Sequence, residues 1–263
     1  MKVLPGLYQE DFREIDGSRF NNLTERWVKF IERRRAARIN AALPKGSILD
    51  VGCGRGIFLE ELKKHGWEVL GTEVFEGAQE IAKSLLIPIK TGNLKDMDIT
   101  ADTFEVVTLW HTLEHIEDLS ILDKINKILK KNGILIVNVP NIESFQSRIF
   151  KKKWIHYNVP HHVHHFSPKS LSLLLTQYGF SPFSVKHFCF TYNFFGWLEG
   201  FIDTLFKKRN ILFDELRKNT PVDMKRLALY FFTAILAIPS LCIVFIESAL
   251  RRGGTFEIYA RKN

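Results

Sequence analysis

Apolar residues follow two rhythms in this chain. From residue 46 onward, short apolar runs alternate with stretches of helical spacing. Ile48-Leu49-Asp50-Val51, Trp67–Glu73, Ile87–Lys90, Phe104–Trp110 and Ile134–Val139 are apolar and partly β-branched, as strands buried in a parallel sheet are. Between them, Ile57–Lys64, residues 76–84 and Asp118–Lys131 carry apolar positions three and four apart, which predicts helices. Strand and helix alternating in this way demand a parallel α/β sheet.

The flanks extend the pattern. Phe20, Leu23, Trp27, Phe30 and Ile31 predict a helix over about 20–42. Arg33, Arg34, Arg35 and Arg38 crowd its later turns, either as a solvated basic face near a helix C-terminus or as a contact for an anionic substrate or surface. Pro44-Lys45-Gly46 then breaks the chain. Further on, Ser167-Pro168 opens a helix over 168–178, with proline at a suitable first position. Phe183–Phe190 reads as a sixth strand, and Thr255–Lys262 alternates as a last one. This divides the chain into an N-terminal helical segment (1–45), a core (46–190), an insertion (191–252) and a final strand of the core sheet (253–263).

The first strand runs into Asp50-Val51-Gly52-Cys53-Gly54-Arg55-Gly56 and then a helix. Alternate glycines permit positive φ and let another molecule approach the backbone closely. A strand, glycine turn and helix is where a doubly wound sheet binds nucleotide-like cofactors. The dinucleotide fingerprint G-x-G-x-x-G or A fails, because its third position is Ile57. Glu73 ends the second strand about 20 residues past the glycines, where a carboxylate can accept both ribose hydroxyl hydrogens.

The D-x-G-x-G-x-G form resembles motif I of the class I S-adenosylmethionine (SAM) methyltransferases. More closely, Leu109-Trp110-His111-Thr112-Leu113-Glu114-His115, Val139-Pro140-Asn141 and His162-Val163-His164-His165-Phe166-Ser167-Pro168, in that order, resemble the ubiquinone-biosynthesis-like branch of that class. This bacterial group often sits among genes for surface glycans or lipids. The resemblance implies a Rossmann-like seven-stranded sheet, elaborated here by the N-terminal helix and by an apolar helical insertion before the last strand. It implies SAM as cofactor, with Asp50, Gly52, Cys53, Gly54 and Gly56 beside its methionine part and Glu73 on its ribose. It places Asn93 and Leu94 at the adenine, where the Asn93 amide oxygen can accept from the amino group, and Trp110 and His111 near the methyl donor.

The histidines suggest the acceptor side. His161, His162, His164 and His165 cluster, with His156 nearby. Histidine titrates near neutral pH and suits proton abstraction from a hydroxyl or amine, so His115, His162 and His165 are the candidate catalytic residues. His111, Glu114 and His115 would share one face of a helical turn. Some related O-methyltransferases acting on vicinal hydroxyls hold a divalent ion through such a turn plus a downstream histidine. Those relatives tend to carry Glu where this chain has His111. No metal is therefore assigned, and His111, Glu114, His115 and His162 form the alternative set.

The insertion is aromatic early, at Tyr192, Phe194, Phe195, Trp197 and Phe201, then basic at Lys207-Lys208-Arg209 and Lys225-Arg226. Leu227–Ile246 is uncharged and long enough to cross a bilayer. A single crossing would carry the last strand away from its sheet, and Pro239 interrupts the run. A lid on the domain, or a helix dipping into one leaflet of an anionic membrane, fits better.

Bulk composition adds limits. The 263 residues carry 46% hydrophobic residues, ample for a core, and a net charge of +8 that favours anionic partners. Cys53, Cys189 and Cys242 are odd in number and far apart, which suits a reducing compartment, and the first residues lack the apolar run of a signal peptide. The expectation is a cytoplasmic enzyme, peripheral on the inner face of the membrane if the insertion touches lipid. It would methylate a hydroxyl of a glycan, lipid or quinone-like molecule. The alternatives are N-methylation of an amino sugar or small amine, a noncatalytic SAM-fold protein, and a nucleic-acid-binding protein. No aromatic–basic RNA motif supports the last, so no nucleic-acid partner is expected.

Overall fold

The computed structural model describes residues 22–75, 77, 85–216 and 223–263. The predicted helix 76–84 lies almost wholly outside these residues. Seven strands form one sheet: β1 (Ser47–Val51), β2 (Glu68–Glu73), β3 (Ile89–Thr91), β4 (Phe104–Trp110), β5 (Leu129–Pro140), β6 (Phe180–Lys186) and β7 (Thr255–Lys262). Their order is β3-β2-β1-β4-β5-β7-β6. β1 to β5 pair in parallel, and β7 lies antiparallel between β5 and β6. The chain winds outward from β1 in one direction and from β4 in the other. Their carboxyl ends therefore meet at the switch point, where this architecture opens a crevice.

Neighbouring strand residues feed opposite faces, as the pleat requires. Leu49, Val107, Leu135 and Ile258 pack into one apolar cluster, which takes in α3 (Ile121–Ile128) and α5 (Pro168–Gln177). Ile48, Val106, Ile136 and Tyr259 pack into the other, beneath α1 (Asn22–Ala42) and α2 (Ile57–Lys64). The α1 residues Ala36 and Ile39 are fully buried there. The short α4 (Phe145–Phe150) follows β5.

Several expectations shift. The sixth strand runs over 180–186 rather than 183–190, and Phe190 instead begins a helix. Pro182 sits at a register shift of this edge strand, where a missing N–H is tolerated. The helix expected over 118–131 is only Ile121–Ile128, because Leu129 already pairs with Phe104. The crowded arginines divide: Arg35 and Arg38 turn inward onto Glu32 and Glu257, whereas Arg33 reaches Glu61 from a mostly exposed position.

The insertion is helical: α6 (Phe190–Leu205), α7 (Ile211–Leu216) and α8 (Met224–Ala249, with Pro239 inside). Glu199 accepts the Leu212 and Phe213 N–H groups, and Asp203 those of Asn210 and Ile211. These acids satisfy the orphan donors at the start of α7 and fix the bend after α6. Asn193 Oδ1 accepts the Thr255 N–H, and Glu247 Oε1 accepts that of Gly254. Both legs of the hairpin are thereby moored where β7 begins, at Gly254 and Thr255.

Candidate active site

The glycine turn has the conformation its residues allow. Gly52 and Gly54 have φ of 74° and 53°, in the left-handed region. A Cβ on Gly52 would lie 2.5 Å from the Thr112 side chain, so the turns after β1 and β4 touch. A Cβ on Gly54 would meet nothing within 4 Å, so that backbone faces open space. The N–H groups of Gly52 and Cys53 both donate to the Thr72 carbonyl, which clamps the turn to β2.

Glu73 stands where the sequence places it. Its Oε2 accepts the Gly54 N–H at 2.9 Å, and its Oε1 accepts the N–H of Val74 at 2.7 Å. These bonds pin the carboxylate beside the open face of the glycine turn. Asp50 is buried and accepts the Thr108 hydroxyl at 2.6 Å, and burial raises its pKa to about 7. Burial likewise pushes the Cys53 thiol well up. Leu94 is buried, and the Asn93 amide oxygen accepts the Lys95 N–H, capping a short helical turn. That oxygen thus has a local partner at the position expected to meet adenine.

Trp110 ends β4, edge-on to Phe58 at 5.7 Å, and the Arg35 guanidinium lies 4.4 Å over its ring. His111 follows with φ 52°, and its ring sits 4.0 Å from that of Tyr192 on α6. Burial, with Arg35 adding to it, lowers the His111 pKa to about 3.

Beyond this lies the acceptor side. Glu114, His115 and His162 each offer a ligand atom, and these atoms all lie within 4.8 Å of one another. The loop that brings His162 is tied down by its backbone, since the Val163 and His164 N–H groups donate to the Glu114 carbonyl. His115 Nδ1 is 3.0 Å from the His161 carbonyl, and His162 Nδ1 is 2.8 Å from the His156 carbonyl. A carbonyl can only accept, so both Nδ1 atoms carry a proton, and Nε2 is the ring atom each would offer as a ligand. The Glu114 carboxylate is 1% exposed, and neither oxygen has a hydrogen-bond partner. Burial pushes its pKa up, and burial lowers that of His162 to about 3.

A buried ionised carboxylate without a hydrogen bond is costly unless it takes up a proton or a cation compensates it. One oxygen donor and two imidazoles with carbonyl-anchored Nδ1 atoms suit a divalent metal ion. Three of the four alternative ligands are thus brought together. The fourth, His111, has its Nδ1 3.3 Å from Glu114 Oε1. His165 stands apart from the cluster, with its ring against Tyr157 and 6.4 Å from His162.

Three residues of this site were not singled out by the sequence. His156 anchors His162, and its histidine-rich surroundings were the available signal. Tyr192 lay among the insertion's aromatics. Arg35 was one of several arginines, and only the fold distinguishes it.

A seven-stranded sheet with its last strand antiparallel, a glycine turn at the switch point and an acid ending β2 are the fold of the SAM-dependent methyltransferase class. The methyltransferase domain family matches residues 21–185, and the chain belongs to that family. A ubiquinone biosynthesis O-methyltransferase of Ruegeria sp. (strain TM1040) is 30% identical over 163 residues, which are 57% of this chain and 66% of the relative. The chain thus spans just under two thirds of that relative's length. Another, from Aliivibrio fischeri, is 27% identical over 187 residues, covering 60% of this chain and 79% of the relative. Among solved structures, a SAM-dependent methyltransferase from Archaeoglobus fulgidus superposes with a TM-score of 0.56 at 22% identity, covering 98% of this chain and 99% of that one. A phosphoethanolamine N-methyltransferase from Haemonchus contortus, solved with S-adenosylhomocysteine, gives 0.58 at 14% identity over 88% of this chain and 52% of its own. At these identities the structural likeness shows the fold alone.

Proposed function

We propose that this protein transfers the methyl group of SAM to a hydroxyl of a small quinone-like aromatic acceptor, and that Glu114, His115 and His162 hold a divalent cation beside that acceptor. The observation that carries this reading is the buried Glu114 carboxylate, without hydrogen-bond partners and facing two imidazoles whose Nδ1 atoms are committed to carbonyls. The names of the Ruegeria and Aliivibrio relatives support a hydroxyl acceptor of the quinone kind.

A divalent cation there would supply positive charge that favours the ionised acceptor hydroxyl. The remaining work falls to the chain's own residues. The glycine turn and Glu73 hold the donor, whose sulfonium already makes the methyl group electrophilic. In-line attack then needs mainly positioning and exclusion of water. His111, next after Trp110, packs on Tyr192 and lies 3.3 Å from Glu114, so the pair stands beside the cluster. His111 is held neutral there, so it adds no positive charge against the sulfonium. The earlier assignment of His115 and His162 as proton acceptors competes with this reading for the same Nε2 atoms. His165 remains a base candidate on the far side of the cluster.

A screen with methyl-labelled SAM tests the reading. Acceptors with vicinal aromatic hydroxyls should be methylated in preference to single hydroxyls, sugars or amines. Preferential labelling of an amine or a sugar would overturn it.

A further inference from the structure

The hairpin of α6 and α8 is built inside out. Leu229, Ser240, Val244 and Glu247 are the buried residues of α8. Its buried stripe therefore includes a hydroxyl and a carboxylate, the latter accepting from Trp197 Nε1 at 2.7 Å. By contrast, Leu227, Phe231, Ile235, Ile238, Phe245 and Ile246 are each more than half exposed. Only 17% of the helix's most apolar stretch is buried. A helix at a water surface has the opposite arrangement.

The charges are sorted in the same inverted way. Glu199, Asp203, Glu215 and Glu247 are all buried. Lys207, Lys208 and Lys225 at the hairpin's tip, and Arg251 at its base, are exposed. Cations thus mark both ends of an apolar helix about 39 Å long by its 26 residues.

We infer that this hairpin docks flat on an anionic lipid surface, sunk to the depth of its apolar flank, with basic residues at both ends among the headgroups. The inference goes beyond the proposed reaction and stands or falls independently of it. Other arrangements meet specific obstacles. A single crossing would separate the ends of α8, yet Thr255 pairs with Pro140 inside the sheet and both hairpin legs are moored there. Insertion tip first would draw Lys207, Lys208 and Lys225 into hydrocarbon, which is expensive. A second copy of the chain would cover one flat face. Here adjacent residues such as Phe231 and Phe232, or Phe245 and Ile246, are exposed and point to different sides of the helix. A self-complementary pairing would also bring like-charged ends together. A fluid apolar layer beneath an anionic rim meets both the curvature and the charge.

Co-flotation of the full chain with vesicles tests this. Vesicles of phosphatidylglycerol and phosphatidylcholine should capture the protein at low salt and release it as salt rises, and pure phosphatidylcholine should bind at least about ten-fold more weakly. Phe231→Ser, Ile235→Ser and Ile238→Ser combined should abolish capture while circular dichroism and SAM binding persist. Lys207→Gln, Lys208→Gln and Lys225→Gln together should weaken capture by about a hundred-fold, close to five-fold per lysine. No capture at low salt, or equal capture by both lipids, would overturn the inference. So would a stable dimer in lipid-free solution that the serine variant dissociates.

Discussion

The glycine turn after β1 and the histidine cluster after β4 lie at neighbouring strand ends, yet they are built by different rules. The turn comes from contiguous residues whose backbone shape is intrinsic to glycine, and two N–H groups on a single carbonyl hold it. The cluster joins a turn after β4 to a loop more than forty residues later, and its parts meet only because that loop donates to the Glu114 carbonyl. One is a backbone device that leaves room for a ligand. The other is a side-chain device that buries a carboxyl group without a hydrogen bond. On the proposed reading, the first would take a donor of fixed shape and the second would hold an ion with the acceptor beside it.

If the two devices have separate duties, they should be separable by mutation. The largest effect is expected at the cluster. Glu114→Gln should lower turnover by about a hundred- to ten-thousand-fold and leave SAM affinity within about two-fold. Calorimetry and steady-state rates on the same preparation check this split, and equal losses in both would merge the two devices. Gly54→Val is the reciprocal change. Its side chain enters the open space beside the turn and its backbone φ is unfavourable for a branched residue, so SAM binding should fall by about a hundred-fold or more. Unchanged calorimetric binding would remove the glycine turn from the cofactor site. Glu73→Ala should weaken SAM by about 1–3 kcal/mol, the cost of hydrogen bonds to a charged group, with the sheet intact by circular dichroism.

The smallest effect sits outside both devices. His187 is buried, and burial together with Arg251 and Arg252 lowers its pKa. Its unfolded counterpart takes a proton near pH 6.5 while the folded form resists. Its contribution to stability is therefore full above that pH and declines as pH falls below it. Relative to His187→Gln, wild type should lose stability on going from pH 7.5 to 5.5, by less than the limit of about 1.4 kcal/mol per pH unit for one proton. Urea unfolding at the two pH values reads the difference.

Local pattern carried much of this molecule. Phe104–Trp110 and Thr255–Lys262 are strands with the predicted bounds, and Glu73 ends β2 against the glycine turn, where it accepts the Gly54 N–H. What stayed hidden depended on partners distant in the chain. Arg38 reads as surface charge until Glu257, 219 residues away, is placed beside it. The histidine-rich loop announced chemistry, but only its fold against Glu114 separates His162 from His165. The insertion's hydrophobicity was plain. Its inversion was not, because which side of α8 meets α6 is a matter of packing. β6 starts earlier than its apolar run suggests, because an edge strand tolerates the missing N–H of Pro182.

The central claim is that a cation held by Glu114, His115 and His162 serves the acceptor and not the donor. The most direct measurement is methyl transfer from labelled SAM to a vicinal aromatic diol, before and after removal of divalent ions with a chelator, alongside SAM affinity under both conditions. Turnover should fall at least about ten-fold on chelation and return with added magnesium or manganese, while SAM affinity stays constant. Full turnover by protein shown to be free of metal would contradict the account.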